Sequence, residues 1–526
     1  MSHSPFDGRA TLEPEEWDWR TLTSDSELQP AVARTLRQIA SDDRRADAGE
    51  LRWLLNGIRR ELDFYRKIYP DAPFEQELAA AFSRQLESLD LRASAFVDDP
   101  GACAWDAYLT LKYEVRKLYK QLGGIVSGSD WQTPAKQLHA GEQVTADESG
   151  YAQEEEGTYQ RCYGSEAVKR YEDEAMDAFY AMPAHIRERS AIYLTGSGMK
   201  ALELALAAYK TFAGEDLPCY VQAGFYGEGE SLSKTLLSNV KRASPDEMYK
   251  LLREGQPVGC LIVDPGQCWP IRQPVDLGAL FEALKLHEQR QPLYVIVDRT
   301  LTSVANPIFE RYADRLPAHV VLVCVESGIK YLQYGFDLVN VGYLVACGHA
   351  LAEETHRERW VELLSILDAG ASPLDVRQLP EPDRSTIITR LSRLNRNAHW
   401  MDAYLQYLRR QGDILGYDRS VDPSDAYILE GRTWIGSVFY VRLHGDLSEQ
   451  EYQERIDACV SASPPEMHLI SGGSFGFDSL RLNAVHGEAP EENALRLSVG
   501  RAPLDQLLAT FQVLARLLLH RSSSRE

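Results

Sequence analysis

Six short, almost uninterrupted apolar runs lie between Ala191 and Val345, and they constrain the fold more than any other feature of the chain. They are Ile192–Leu194, Cys219–Val221, Cys260–Val263, Leu293–Val297, Val320–Val325 and Val341–Val345. Helix-length segments separate several of them. A strand with one face in water alternates apolar and polar residues, whereas an unbroken Val/Ile/Leu run must be covered on both faces. The pattern predicts an α/β fold, a mostly parallel sheet between two helical layers. In such sheets ligands sit beyond the carboxyl ends of the strands. The residues that follow each run are therefore the candidates for chemistry.

The flanking regions have a different texture. Residues 27–122 read as helical: from Glu50 to Lys67 the apolar residues Leu51, Leu54, Leu55, Ile58, Leu62 and Tyr65 fall on one helical face. An acidic, glycine-containing run from Gly141 to Gly157 reads as a linker. After residue 375 a long helical pattern runs from Arg384 to Arg410. Strands follow around Val438–Leu443, His468–Ile470 and Leu495–Val499, with helices near Gln450–Cys459 and Leu504–Leu518. Three parts are expected: a helical extension over 1–150, a large α/β unit over 151–375 and a smaller α/β unit over 376–526.

The formal net charge of −22 repels phosphate backbones, so nucleic acid is not an expected partner. The first 150 residues are themselves acidic, which argues against a DNA-reading helical module. No segment has membrane-spanning length and apolarity, and the first residues lack the apolar core of a secretion signal. The eight cysteines are scattered without a CxxC pair or zinc spacing. A cytoplasmic chain with reduced thiols and no metal is expected.

Three strand ends carry chemistry. After Ile192–Leu194 comes Thr195-Gly196-Ser197-Gly198-Met199, then a helical run. A glycine-rich turn opening a helix presents free amides and the positive end of a dipole, a cradle for phosphate or carboxylate. After Leu293–Val297 comes Asp298, a carboxylate that needs a partner if buried. After Val320–Val325 comes Glu326-Ser327-Gly328-Ile329-Lys330. A lysine just past a buried strand, if desolvated, is an imine-forming nucleophile. Singly, these features fit equally a tight turn, a structural salt bridge and a lysine whose stem packs while its head reaches water. Together, and in this order, they are what pyridoxal phosphate needs: a phosphate cradle, a partner for the ring nitrogen and an amine for the aldehyde.

From about Gly157 to Leu518 the chain resembles the cystathionine γ-synthase-like enzymes of Cys/Met metabolism, within the aspartate-aminotransferase fold. Tyr159-Gln160-Arg161 is similar to the family's Tyr-x-Arg, which reaches a neighbouring subunit's phosphate. Ser197-Gly198-Met199 is similar to its Ser-Gly-Met phosphate turn. Phe225-Tyr226-Gly227 is similar to its Tyr-Gly-Gly, and Asp298-Arg299-Thr300 to its Asp-Asn-Thr. Ser327-Gly328-Ile329-Lys330-Tyr331 resembles Ser-x-Thr-Lys-Tyr. Leu469 to Ser474 looks like the Ser-Leu-Gly-Gly loop, and Arg496-Leu497-Ser498-Val499-Gly500 like the Arg-Leu-Ser-Val-Gly strand.

The resemblance implies the type I fold of pyridoxal-phosphate enzymes, with Lys330 holding the cofactor. Ser197, Gly198, Met199 and Ser327 would bind its phosphate and Asp298 its ring nitrogen. Tyr226 would stack on the ring and exchange protons, and Arg496 and Ser471 would bind substrate. Tyr159 and Arg161 would complete a partner's site in a homodimer or homotetramer. The chain departs from the family pattern in three places. Ile329 replaces the threonine before the lysine. Arg299 replaces an asparagine and is expected to add a cation near the cofactor. In the segment Asp264–Pro270, Gln267 is the candidate to approach the cofactor hydroxyl. The resemblance implies γ-elimination or γ-replacement on an amino acid, and these departures and the extra helices point to specialised metabolism. The expected donor is a homoserine ester, a sulfur amino acid or S-adenosylmethionine. The acceptor could be as unusual as a pyridine nucleotide. Aminotransferase, β-lyase or decarboxylase chemistry, and a cofactor-binding regulator, remain the alternatives.

Overall fold

Each of the six apolar runs is a strand in the structure, a computed structural model that describes residues 30–68, 73–99, 104–128, 166–372, 375–376, 378–422, 427–487 and 489–518. Three long helices come first: α1 (Pro30–Ile68), α2 (Pro73–Asp98) and α3 (Trp105–Gly128). All six apolar residues of the Glu50–Lys67 face are buried. They pack among α2 and α3 in a core continuous with that of the sheet beyond. Helix α4 (Glu166–Ala178) leads into that sheet.

The large sheet contains β1 (Ser190–Thr195), β2 (Cys219–Gln222), β3 (Val240–Ala243), β4 (Cys260–Val263), β5 (Leu293–Asp298), β6 (Val320–Ser327) and β7 (Gly342–Gly348). Its order is β1-β7-β6-β5-β4-β2-β3, and only β7 runs antiparallel to its neighbours. Helices α5 (Gly198–Ala213), α6 (Gly227–Leu236), α7 (Pro245–Arg253), α8 (Leu277–Leu286), α9 (Ile308–Tyr312) and α10 (Glu354–Ile366) connect and cover the strands. Coverage of both faces follows from the alternation of contacts. Leu261, Val263, Val295 and Val297 point into one core, and Cys260, Ile262, Tyr294 and Ile296 into the other. Strand β3, Val240-Lys241-Arg242-Ala243, has no such run: it is an edge strand paired with β2 alone, and its charged residues reach solvent.

Beyond the sheet, helix α11 (Arg384–Gln411) spans 28 residues, against the 27 expected from Arg384 to Arg410. It starts on an Asp383 side-chain cap and stops at Gly412, whose positive φ ends the helix. A second sheet contains β8 (Gly416–Arg419), β11 (Val438–Arg442), β12 (Ile470–Ser471), β13 (Arg481–Val485) and β14 (Ala494–Ser498), in the order β12-β13-β14-β11-β8. A small hairpin of β9 (Ile428–Leu429) and β10 (Arg432–Thr433) lies beside it in sequence. Helices α12 (Glu449–Ala462) and α13 (Leu504–Leu518) complete this region. No described helix is long and apolar enough to cross a membrane.

Candidate active site

Lys330 sits in the turn just past β6, where the lysine was expected. Its Nζ donates to the Ser474 hydroxyl at 2.6 Å and lies 5.5 Å from the centre of the Phe475 ring. Gly476 completes the contact. A Cβ there would stand 2.2 Å from the Lys330 carbonyl oxygen, and its φ of +85° is one that glycine adopts without strain. Burial pushes the Lys330 amine down to about 8, helped by the charges of Arg496 and Arg481. More of this amine is neutral near neutrality than in an ordinary lysine, which is what a nucleophile or a base requires.

The turn before α5 meets the end of β6. A Cβ on Gly198 would lie 2.9 Å from the Ser327 Cβ, and one on Gly342 would lie 2.2 Å from the Ser197 carbonyl oxygen. The turn thus fits against β6 and β7 only with glycine at both places. Ser197 caps α5 by accepting from the Lys200 amide at 3.1 Å, and its carbonyl takes the Ala201 amide. The amides of Gly198 and Met199 stand ahead of these, in the first turn where a helix leaves its donors open. A side chain at Gly196 would meet open space. Ser197, Gly198, Met199 and Ser327 therefore share one corner, three residues from Lys330 along the chain.

Asp298 ends β5 beside that corner. Its Oδ1 accepts from the Thr300 amide at 2.9 Å, and the Thr300 hydroxyl accepts from the Ser327 amide at 3.1 Å. Burial raises the Asp298 carboxyl above its ordinary range. Buried Asp264, at the end of β4, is pushed well up by desolvation and by the Asp298 charge. Cys268 lies within electrostatic reach of Asp264, Arg496, Asp298 and Lys330; burial drives its thiol up to about 12. Tyr226 stands at the open rim, 37% exposed, and its hydroxyl donates to Glu228 at 2.7 Å.

Other expected residues fall elsewhere. Ser471 is exposed and its hydroxyl pairs with Asp457 and Gln453 on α12; the serine of this loop that reaches Lys330 is Ser474. Gln267 accepts from the Arg272 amide and donates to the Gln273 carbonyl, so its side chain is spent inside its own loop, and Cys268 is the residue that faces the site. Arg299 does not supply a cation to the site. Successive strand residues face opposite ways, so with Asp298 turned toward the site Arg299 is turned away. It forms a buried pair with Glu326 at 2.9 Å, against the Tyr180 ring. Tyr159 and Arg161 lie outside the described residues.

Charged residues of the first helices join the site from behind. Lys112 on α3 contacts Glu50 on α1 at 2.7 Å and Asp478 at 2.5 Å. Arg390 on α11 reaches Glu50 at 2.7 Å, Asp478 at 3.2 Å and the Gly476 carbonyl at 3.1 Å. Arg501 bonds Asp478 at 3.0 Å, Asp47 at 2.6 Å and also Glu50. Burial alone would raise both acids, but these three cations outweigh it. They hold Glu50 down at about 2 and Asp478 well below its usual range. Arg116 and Lys120 of α3 also bond Asp337, in the loop after Lys330, and Trp53 of α1 stacks on Phe336 at 4.9 Å. The two loops that touch Lys330 thus rest on the first three helices.

No known family profile matches the chain. The bifunctional enzyme flvA of Aspergillus flavus is 28% identical over 214 residues, covering 39% of this chain and 24% of that protein. The chain therefore spans about a quarter of the length of this curated relative. Among solved structures, yeast cystathionine γ-lyase superposes with a TM-score of 0.51 at 16% identity, over 69% of this chain and 88% of that one. A methionine γ-lyase from Micromonospora echinospora, CalE6, gives 0.49 at 17%, over 69% and 89%. At such identities the likeness establishes the fold. The chain has the type I, aminotransferase-like fold of pyridoxal-phosphate enzymes, preceded among the described residues by three long helices.

Proposed function

We propose that the chain is a pyridoxal-phosphate-dependent enzyme of amino-acid metabolism that performs γ-elimination or γ-replacement. The observation that carries this is the convergence of Lys330, Asp298 and the Ser197–Met199 turn at the strand ends of one sheet. Three features fit the cofactor. The open amides of Gly198 and Met199 suit a phosphate. Asp298, a carboxylate with no Lys or Arg in ion-pair distance among the described residues, suits a protonated ring nitrogen. The Lys330 amine, with its lowered proton affinity, suits an aldehyde.

When bound, the cofactor supplies an electron sink for the bond broken at Cα. The residues of the chain do the rest. Arg496 grips the substrate α-carboxylate through its guanidinium fork. Lys330, once its amine is free, takes and returns protons at Cα and Cβ, and the Ser474 hydroxyl orients it. Tyr226, bonded to Glu228 at the rim, exchanges a proton with the departing or entering group. Tyr159 and Arg161 serve a partner subunit's phosphate in a homodimer or homotetramer. The donor class is a homoserine ester, a sulfur amino acid or S-adenosylmethionine, in a specialised pathway with an unusual acceptor such as a pyridine nucleotide.

The visible absorption of the purified protein with added cofactor tests this, alongside Lys330→Ala. A band present in the wild type and lost in the variant is expected. Release of a ketoacid with ammonia, or exchange of the amino group, would then separate lyase and aminotransferase chemistry from replacement. A wild type with no band after cofactor addition removes the proposal.

A further inference from the structure

Arg481 and Arg496 stand on neighbouring strands and face the same way. Asn483 lies directly opposite Arg496 in the β13–β14 register. Arg481 is two residues from Asn483, so the three side chains share one face of the sheet. The other face is apolar, with Leu482, Leu495 and Leu497 in the core. Arg481 Nη1 donates to the Gly473 carbonyl at 3.3 Å, and its guanidinium lies 4.0 Å from the Phe477 ring centre. A Cβ on Gly473 would lie 3.7 Å from Arg496 Nη1. Both guanidiniums therefore border the same loop backbone, one residue before Ser474, the partner of Lys330.

Neither arginine is neutralised among the described residues. The nearby acids are already engaged: Asp478 by Lys112, Arg390 and Arg501, and Asp337 by Arg116. The Nε atoms of Arg481 and Arg496 and the Oδ1 of Asn483 are buried without a hydrogen-bond partner. Buried polar atoms without partners are costly, and two unneutralised guanidiniums beside an amine repel one another. One α-carboxylate answers one arginine. A second anion is needed for the other.

We propose that Arg481 binds a second anionic group on the side chain of the substrate amino acid, a carboxylate or a phosphate ester, while Arg496 holds the α-carboxylate. This rests on the function proposed above and narrows its substrate class to dianionic amino acids. Stacking on Phe477 fixes the plane of the Arg481 fork, which suits two-oxygen recognition. Asn483 stands between the two arginines with its Oδ1 unbonded, its Nδ2 being given to the Ala484 carbonyl at 2.9 Å. Helix α3 closes the far side of this subsite. Tyr113 and Arg116 of that helix both lie within electrostatic reach of Arg481.

Calorimetric titration of the cofactor-loaded protein compares L-2-aminoadipate with L-norleucine, which have side chains of similar length with and without a terminal carboxylate. O-phospho-L-homoserine against L-homoserine repeats the comparison for phosphate. Wild type is expected to prefer at least one anionic member by about ten- to a hundred-fold, the range of a charge-assisted hydrogen-bonded pair. Arg481→Gln erases that preference and leaves the uncharged member's affinity unchanged; Arg481→Lys restores part of it. Arg496→Gln weakens charged and uncharged members alike. The inference falls if wild type shows no preference, or if Arg481→Gln weakens both members equally while the visible band is kept. If no amino acid binds a protein that shows the band, the proposed function falls as well.

Discussion

Replacing Lys112 by methionine removes one cation from a buried network and keeps most of the side-chain volume. Lys112 is 1% exposed and contacts Glu50 at 2.7 Å and Asp478 at 2.5 Å. Removing one partner of a buried pair costs about 3–5 kcal/mol, because the remaining charge stays desolvated. Here Arg390 and Arg501 still face both acids, so the lower end, about 3 kcal/mol, is expected. The Glu50 carboxyl, lowered by Arg501 together with Lys112 and Arg390, gives a second scale for the same network. It is held at about 2 against an ordinary 4.5, which corresponds to roughly 3 kcal/mol of stability. A depressed carboxyl contributes fully above its unfolded pKa and loses that contribution as pH falls through the folded value. The wild type should therefore lose stability between about pH 4.5 and 2, and Lys112→Met should lose less across that window because it starts with less. Urea midpoints at neutral and acid pH measure both effects. Adding Glu50→Gln to Lys112→Met removes the stranded charge and should recover part of the loss. Because Asp478 lies four residues after Ser474, the cofactor band should also weaken in Lys112→Met before global unfolding. Midpoints equal to the wild type's at both pH values would refute this account of the network.

Three further outcomes are expected. Asp298→Asn removes the carboxylate proposed to pair with the ring nitrogen and should weaken cofactor retention about ten- to a hundred-fold on dialysis. The rate at which cofactor-free protein captures pyridoxal phosphate should rise with pH to a plateau with a midpoint near 8, as Lys330 loses its proton. Arg496→Gln should move that midpoint upward by removing a neighbouring positive charge, and an unchanged midpoint counts against the assignment. Arg299→Ala strands buried Glu326 and should cost about 3–5 kcal/mol while amino-acid affinity per folded molecule stays the same. Recovery in Arg299→Ala/Glu326→Ala, followed by urea midpoints, separates this structural pair from a role in binding.

Six strands of the large sheet were legible because they are buried on both faces; the edge strand β3, with Lys241 and Arg242 in solvent, was not. Strands exposed on one side were harder to see. Strand β13 reads Arg481-Leu482-Asn483-Ala484-Val485, a short alternation with charge and amide on one face. It therefore went unseen in the sequence, and with it Arg481, the arginine proposed to take a second anion. The anchoring residues Lys330, Asp298 and the Ser197–Met199 turn were visible because each follows directly on an apolar run, where chain position fixes spatial position. Ser474 and Cys268 lie on loops, and a loop three residues longer or shorter presents a different side chain. That is why the sequence offered Ser471 while Ser474 is the serine bonded to Lys330.

The role of the first three helices shows a different limit. Asp43, Asp47 and Glu50 recur at helical spacing on α1, and Arg390, Arg393 and Arg396 recur on α11. Either stripe alone has the pattern of a solvated helix face, since charged residues are rarely buried unpaired. Only when the two helices are brought together do the stripes neutralise each other, and burial then becomes affordable. Complementarity between segments more than 300 residues apart is a property of the pair, with no signature in either segment. Asp478 completes this cluster from the loop that also holds Ser474 and Gly476 against Lys330. The same contacts that bury α1 therefore position the reactive amine, and removal of α1 to α3 should cost the site its geometry as well as the fold its stability.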